Sequence, residues 1–132
     1  MRIGNLSKLD ECELVTTSTG EKLSLARSLS DFYGIASLLV HHETLPPGRR
    51  ASSAHFHSSK EEIFLVLEGT PSVWVGGELR QLGPGDFVGF NTRERSGHML
   101  VNHSDKAAIV LTIGTNPSDD EITFVKESHE LF

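Results

Sequence analysis

Short apolar runs, separated by glycine, proline and polar residues, follow one another along the chain. The most apolar of these runs cover residues 34–45, 62–67 and 107–113. They are rich in the branched and aromatic side chains that favour strands. Gly76 and Gly77 lie between two further runs, 72–75 and 78–82, and predict a tight hairpin because both glycines tolerate positive φ. The pattern therefore predicts an all-β protein, a sandwich or barrel of many short strands.

The remaining parts of the chain are less regular. Further short strands are predicted at residues 14–17, 87–90, 98–102 and 121–125, and a polar linker at 115–120. Residues 23–29 fit a strand or a helical turn equally well. Pro46 and Pro47 end the run that begins at residue 34, because two prolines remove two donors from a strand ladder.

Composition disfavours several classes of function. The 132 residues carry a formal net charge of −6 and no basic stripe, which disfavours nucleic-acid binding. The N-terminus lacks the apolar core of a signal peptide, and no apolar stretch approaches membrane-spanning length. The single cysteine, Cys12, excludes an internal disulfide and is typical of a reducing cytosol. We therefore expect one cytoplasmic domain, residues 1–132, with neither a nucleic-acid nor a membrane partner.

The richest chemistry lies in a His-x-His pair, His55 and His57, followed by Glu62 at the start of an apolar run. Residues i and i+2 of a strand share a face, so both imidazoles project the same way and Phe56 projects the other way. Residues 58–60 form a predicted turn. A hairpin of this kind can bring all three groups within reach of one metal ion.

His98, after a loop, is a fourth candidate ligand. Three imidazoles and one carboxylate suit Zn, Fe, Mn, Ni, Co or Cu, and they do not suit a calcium site built only of oxygens. The alternative is that His55 and His57 are exposed loop residues beside a solvated charge run at residues 60–62. The position of the pair just before an apolar strand favours the metal site.

These residues complete a pattern that resembles the cupin family. The first motif of the family is matched at Gly48, His55, His57, Glu62 and Gly69. The second is matched more loosely by Gly77, Pro84, Gly85, Asp86, His98 and Asn102, with twelve residues between Gly85 and His98. The resemblance covers about residues 34–114.

The resemblance implies a double-stranded β-helix, or jelly-roll, barrel over about residues 34–114, with extensions at 1–33 and 115–132. It places the metal ligands of the family on His55, His57, Glu62 and His98. The chain looks like the small single-domain cupins that are loosely called sugar-phosphate isomerases. It also resembles cupins that form dimers through terminal strands, so we expect a homodimer in which residues 121–132 are exchanged. A tail packed on its own barrel is the alternative.

Arginines near the expected mouth of the barrel are candidate substrate-binding residues. Arg93 and Arg95 lie in the loop before His98, and a guanidinium fork can clamp a carboxylate or a phosphate. An ordinary charged surface loop is the alternative. Of His41 and His42, only one can face the interior, where it would serve as a general base or as a structural histidine.

The predicted function is that of a metal-dependent enzyme acting on a small polar metabolite: a sugar, a sugar phosphate or a carboxylic acid. Isomerase-type chemistry is favoured, with an iron-dependent dioxygenase as the second enzyme class. A cupin that binds a small ligand without catalysis is the alternative of another class, and a storage or structural cupin held together by its metal is a third.

Overall fold

The computed structural model describes residues 1–127 and builds them almost entirely from antiparallel strands. The strands are β1 (Cys12–Val15), β2 (Lys22–Ser28), β3 (Leu38–Leu45), β4 (His55–His57), β5 (Glu62–Glu68), β6 (Ser72–Val75), β7 (Glu78–Gln81), β8 (Phe87–Phe90), β9 (His98–Val101), β10 (Ala108–Thr115) and β11 (Ile122–Phe124). A 3₁₀ turn covers Leu6–Lys8, and one short helix, α1, covers Leu29–Phe32. None of the helices among these residues is long and apolar enough to cross a lipid bilayer.

The strands form two sheets that face each other. The six-stranded sheet has the order β1-β2-β3-β10-β5-β8, and the five-stranded sheet has the order β11-β4-β9-β6-β7. From β3 to β11 the chain passes back and forth between the two sheets. This topology is the double-stranded β-helix, so the predicted fold is confirmed.

The main core fills the space between the sheets. Leu45 and Val110 project into it from the six-stranded sheet, and Val73 and Leu100 project from the five-stranded sheet. A second cluster on the far side of the five-stranded sheet contains Ala54, Trp74 and Met99, with Val125 packed against it. Phe64 and Phe90 pack against the main core.

Most predicted strands form close to their predicted bounds, and two segments differ. Residues 23–29, which fit two structures, continue β2 and then enter α1, where the Ser28 hydroxyl caps the helix by accepting a hydrogen bond from the Asp31 amide at 3.1 Å. The first core strand begins at residue 38 rather than 34, because residues 33–34 form a turn and residues 35–37 belong to no strand. Within the described residues β11 pairs with β4 of the same chain. Residues 128–132, part of the predicted exchanged segment, lie outside the described residues.

Candidate metal centre

Three strands bring the four predicted ligands to one end of the barrel. β4 carries His55 and His57, and β9 begins at His98, which lies opposite His55 in the ladder of the five-stranded sheet. Glu62 begins β5 in the other sheet, opposite Gly114 of β10. The histidines of one sheet therefore face the carboxylate of the other across the barrel.

The ligand atoms of these four residues all lie within 4.8 Å of one another. Nε2 of His55 lies 3.1 Å from Nε2 of His57. Nε2 of His98 lies 2.9 Å from Oε2 of Glu62, and Nε2 of His57 lies 3.4 Å from Oε1 of the same carboxylate. The sequence prediction that these side chains meet is borne out, and the cluster is one that could hold a metal ion.

The outward-facing nitrogen of each imidazole meets an oxygen. Nδ1 lies 2.7 Å from the Ser53 carbonyl oxygen in His55, 2.6 Å from Asp120 Oδ2 in His57, and 3.0 Å from Glu94 Oε2 in His98. Carbonyl and carboxylate oxygens only accept hydrogen bonds, so these partners assign the hydrogen of a neutral imidazole to Nδ1 in His55 and His57. In His98 both ring nitrogens face carboxylate oxygens, and either can donate. The Nε2 lone pairs of His55 and His57 then point at the centre of the cluster, where Nε2 of His98 meets the Glu62 carboxylate.

Electrostatics keep Glu62 and His55 in the protonation states that bind metals. Burial raises the pKa of Glu62, but the hydrogen bond with His98 and the positive charge of Lys60 outweigh it and lower the pKa to about 2. Burial lowers the pKa of His55, an effect partly offset by the hydrogen bond to the Ser53 carbonyl. At neutral pH the carboxylate is therefore ionised and the His55 imidazole neutral.

Aromatic side chains hold the ring of His98. The Phe90 ring stacks on it with centroids 3.7 Å apart and planes 4° apart, and the Phe64 ring lies 6.2 Å away at a tilt. His98 is 2 % exposed. The phenyl rings and the Glu94 hydrogen bond together restrict the imidazole to one orientation.

A cavity of about 130 Å³ opens beside the cluster, lined by His55, Glu62 and His98 and by polar groups of β2 and β3. Ser24 Oγ donates a 2.6 Å hydrogen bond to Glu43 Oε1 in its wall. A second cavity shares Glu43 and Glu62 and adds His41 and Lys60.

Two of these wall residues carry or can carry a positive charge. Because His41 lines the second cavity, it is the inward-facing member of the histidine pair on β3, and strand alternation turns His42 the other way. Lys60 Nζ lies 3.4 Å from Glu62 Oε1, and Lys60 is the one lysine or arginine among the residues that line the two cavities.

The two arginines predicted to bind substrate lie on the exposed loop between β8 and β9, and neither lines these cavities. The Arg95 guanidinium lies 5.5 Å from the centroid of the Phe56 ring, on the opposite face of β4 from the histidines. The backbone amide of Arg93 donates to Asn91 Oδ1 at 2.9 Å. Their role in substrate binding stays a prediction.

Among the residues of the site, four charged ones were not predicted to belong to it. Glu43, Lys60, Glu94 and Asp120 all contact a ligand candidate or line its cavities. For Glu94, four residues before His98, the short spacing was an available signal. Asp120 is 63 residues from His57, and nothing in the polar linker 115–120 indicates the contact.

Comparisons with known proteins agree with the geometry. Residues 41–114 match the family model described as Cupin domain. The Quercetin 2,3-dioxygenase of Bacillus subtilis is 35 % identical over 60 residues, which are 46 % of this chain and 18 % of that protein. The chain therefore spans a small part of the length of that curated relative.

Solved structures resemble the whole chain. A sugar phosphate isomerase from a cupin superfamily of Silicibacter pomeroyi superposes with a TM-score of 0.83 at 22 % identity, covering 93 % of this chain and 81 % of that chain. A polyketide cyclase from Streptomyces resistomycificus superposes with a TM-score of 0.76 at 20 % identity, covering 98 % and 88 %. At these identities the two likenesses establish the fold alone.

Proposed function

The chain belongs to the cupin family, and on this premise we propose that it is a metal-dependent enzyme acting on a small polar metabolite. His55, His57, Glu62 and His98 hold one divalent transition-metal ion in this proposal. The metabolite is a sugar, a sugar phosphate or a carboxylic acid, and isomerase-type chemistry is favoured.

One observation carries the proposal: the Nε2 lone pairs of two histidines converge with a carboxylate and the Nε2 atom of a third histidine. The Nδ1 partners direct the Nε2 lone pairs of His55 and His57 at each other across 3.1 Å, and the Glu62 carboxylate adds negative charge. Lone pairs at that distance repel unless a cation or a proton lies between them. A metal ion would relieve this repulsion, and the four ligand atoms lie close enough together to bind one ion.

The donor set also fits the ion. Imidazole nitrogens with one carboxylate suit Zn, Fe, Mn, Ni, Co and Cu, and the oxygen partners of Nδ1 are the supporting groups that metal-binding histidines usually have. When bound, such an ion supplies Lewis acidity that polarises a carbonyl or hydroxyl group of the substrate.

The cavity wall contains the groups that isomerisation requires. Such a reaction removes a proton from a carbon next to a carbonyl group and returns it to a neighbouring atom. Ser24 holds Oε1 of Glu43, which leaves Oε2 to take that proton, and His41 lines the same cavity as a second proton carrier. Lys60 supplies positive charge for an anionic group of the substrate.

The relationship to a dioxygenase favours a second candidate function. The likeness to Quercetin 2,3-dioxygenase covers 60 residues, and a site of three histidines and one glutamate also suits iron. In that case the protein would consume O₂. Binding of a small ligand without turnover is the third candidate, in which the same cavity serves recognition only.

We also propose a cytoplasmic homodimer of one domain each. Cys12 is a free, exposed thiol, which suits a reducing compartment. The outer face of the six-stranded sheet exposes Ile63, Leu67 and Phe87, the last to 70 %, and exposed apolar clusters of this kind often mark contacts between copies. This face is a second candidate for the dimer contact beside the terminal segment.

The test starts with elemental analysis of tag-free protein purified without added metal, with O₂ uptake recorded on the same sample. The loaded protein is then incubated in D₂O with sugar phosphates and hydroxy acids, and deuterium incorporation next to the carbonyl carbon is followed by NMR. We expect a stoichiometric metal, no O₂ uptake, and incorporation that Glu43→Gln abolishes. Stoichiometric iron with O₂ uptake would favour the dioxygenase, and absence of metal after reconstitution would refute both enzyme proposals.

A further inference from the structure

The C-terminal segment, residues 116–127, is the main neighbour of the strand that carries two ligand candidates. In β11, Ile122 lies opposite His57 and Phe124 opposite His55. On its other side β4 pairs with β9 only at His55 and His98. The position of β4 in the barrel therefore depends on the C-terminal segment more than on the rest of its own sheet.

Asp120, just before β11, joins this segment to the metal centre through both carboxylate oxygens. Oδ2 accepts the hydrogen bond from His57 Nδ1 at 2.6 Å. Oδ1 accepts hydrogen bonds from the amides of Ser59 at 2.9 Å and Lys60 at 3.0 Å. Residues 58–60 form the turn between β4 and β5, so one side chain fixes both the His57 ring and the link between His57 and Glu62.

Contacts on either side of Asp120 hold the segment in place. Glu121 N donates to Ser58 Oγ at 2.8 Å and Ser58 N donates to the Glu121 carbonyl at 3.0 Å. Further along, Val125 N donates to the Ala54 carbonyl at 3.0 Å, and Glu127 Oε1 accepts from the Ala54 amide at 2.9 Å. The segment thus forms hydrogen bonds with the chain immediately before and immediately after the histidines of β4.

A glycine makes room for this docking. Gly97 adopts a φ of +87°, and a Cβ at this position would overlap the side chain of Val125. Gly97 directly precedes His98. The segment is therefore packed against the chain next to the third histidine as well as beside the first two.

We propose that Asp120 is a positioning residue of the metal centre and that docking of the C-terminal segment and metal binding stabilise each other. The inference rests on the proposed metal site for the identity of the ligands. Asp120 orients His57 Nε2 and strengthens the imidazole as a donor, which is how carboxylate partners act on metal-binding histidines. It lies beyond residues 41–114, so the domain that the family shares does not contain it.

The test compares full-length wild-type protein with Asp120→Ala, Asp120→Asn and the matched control Asp119→Asn. Asp119 is exposed and accepts a hydrogen bond from Ser59 Oγ at 3.0 Å, so its substitution changes the same charge without touching His57. Zn²⁺ and Co²⁺ affinities are measured by competition with a chelator. ¹⁵N shifts of the His57 ring in the metal-free proteins report which nitrogen carries the hydrogen.

We expect Asp120→Ala to weaken Zn²⁺ binding by about 10- to 100-fold, the range found when partners of metal ligands are removed. Asp120→Asn should fall between it and wild type, because the amide replaces one accepting oxygen by a donor. The control should stay within about twofold. In Asp120→Ala the His57 ring should lose its preference for hydrogen on Nδ1.

Coupling predicts one further effect. Zn²⁺ should slow amide hydrogen exchange in residues 122–125 of the wild-type protein, and Asp120→Ala should abolish that slowing, because coupling between two events is reciprocal. Wild-type protein that binds neither metal would refute the proposed function. Wild-type binding with an unchanged Asp120→Ala affinity and no slowing would refute this inference alone.

Discussion

The barrel strands and the C-terminal segment contribute to the same centre in different ways. β4, β5 and β9 present the four ligand candidates, whose reactive atoms lie within 4.8 Å of one another. The segment 116–127 supplies none of that group, but Asp120 and Glu127 hold the strand on which two of the ligands lie. Ligand identity is thus a property of the barrel, and the orientation of His57 depends on a segment outside its matched domain.

Removing a ligand is the largest perturbation of the barrel side. Because His57 and Glu62 each supply a donor atom, we expect His57→Ala and Glu62→Gln to weaken Zn²⁺ binding by about 100-fold or more, beyond the effect of any supporting group. Metal content after dialysis and chelator competition measure the loss. His41→Ala is the control, because His41 lines the neighbouring cavity and is outside the cluster. Full metal occupancy in both His57→Ala and Glu62→Gln would mean that neither residue is a ligand.

Metal removal tests whether the metal centre stabilises the folded protein against heat. A ligand that binds only the folded state at 100 times its dissociation constant contributes about 2.7 kcal/mol. We therefore expect a chelator to lower the Tm of the loaded protein by roughly 10 °C for a domain of this size. Calorimetry of wild type and His57→Ala with and without chelator measures the shift. The variant serves as the reference, since its weaker binding should make it respond much less; an equal shift in both would mean that the chelator acts elsewhere.

The same division explains what the sequence could predict. Three ligand candidates were predictable because strand alternation puts His55 and His57 on one face, and because Glu62 follows after a short turn; the fourth, His98, came from the resemblance to the family motif. The turns at Gly76 and Gly77 and the order of apolar runs were predictable for the same local reason. Apart from His98, these features depend on residues close together in the chain.

Long-range contacts account for what could not be predicted. Asp120 reaches His57 only because the chain crosses from β10 to the edge of the other sheet, and a polar linker carries no sign of that path. Glu43 and Lys60 line the cavity because of the pairing of β3, β10 and β5, which no local pattern specifies. Arg93 and Arg95 illustrate the converse: their sequence position near His98 does not determine where their side chains point.

Glu94 allows the two kinds of support to be compared within one protein. It plays for His98 the part that Asp120 plays for His57, but it belongs to the matched barrel and contacts its histidine from four residues away. We expect Glu94→Gln to weaken Zn²⁺ binding by about tenfold, the lower end of the range for such partners, because Phe90 also holds the His98 ring. Chelator competition measures it. The double variant with Asp120→Ala should show non-additive free energies, with an interaction of at least about 0.5 kcal/mol, since His57 and His98 both contact Glu62. Additive free energies would mean that the two supports act independently.

The smallest expected effect lies at Lys60, where the two regions meet. Its amide is held by Asp120, and its ammonium lies beside Glu62 in the cavity wall. We expect Lys60→Met to weaken binding of inorganic phosphate or malonate to the Zn²⁺-loaded protein by about fivefold, roughly 1 kcal/mol for one partly buried charge pair. Calorimetric titration measures this, with zinc content determined on each sample and Lys60→Arg expected to retain most of the affinity. Arg93→Met and Arg95→Met are the matched comparisons, since both remove a charge from the loop outside the cavity. Weaker binding in the arginine variants with no change in Lys60→Met would move the anion site to that loop and restore the prediction made from the sequence.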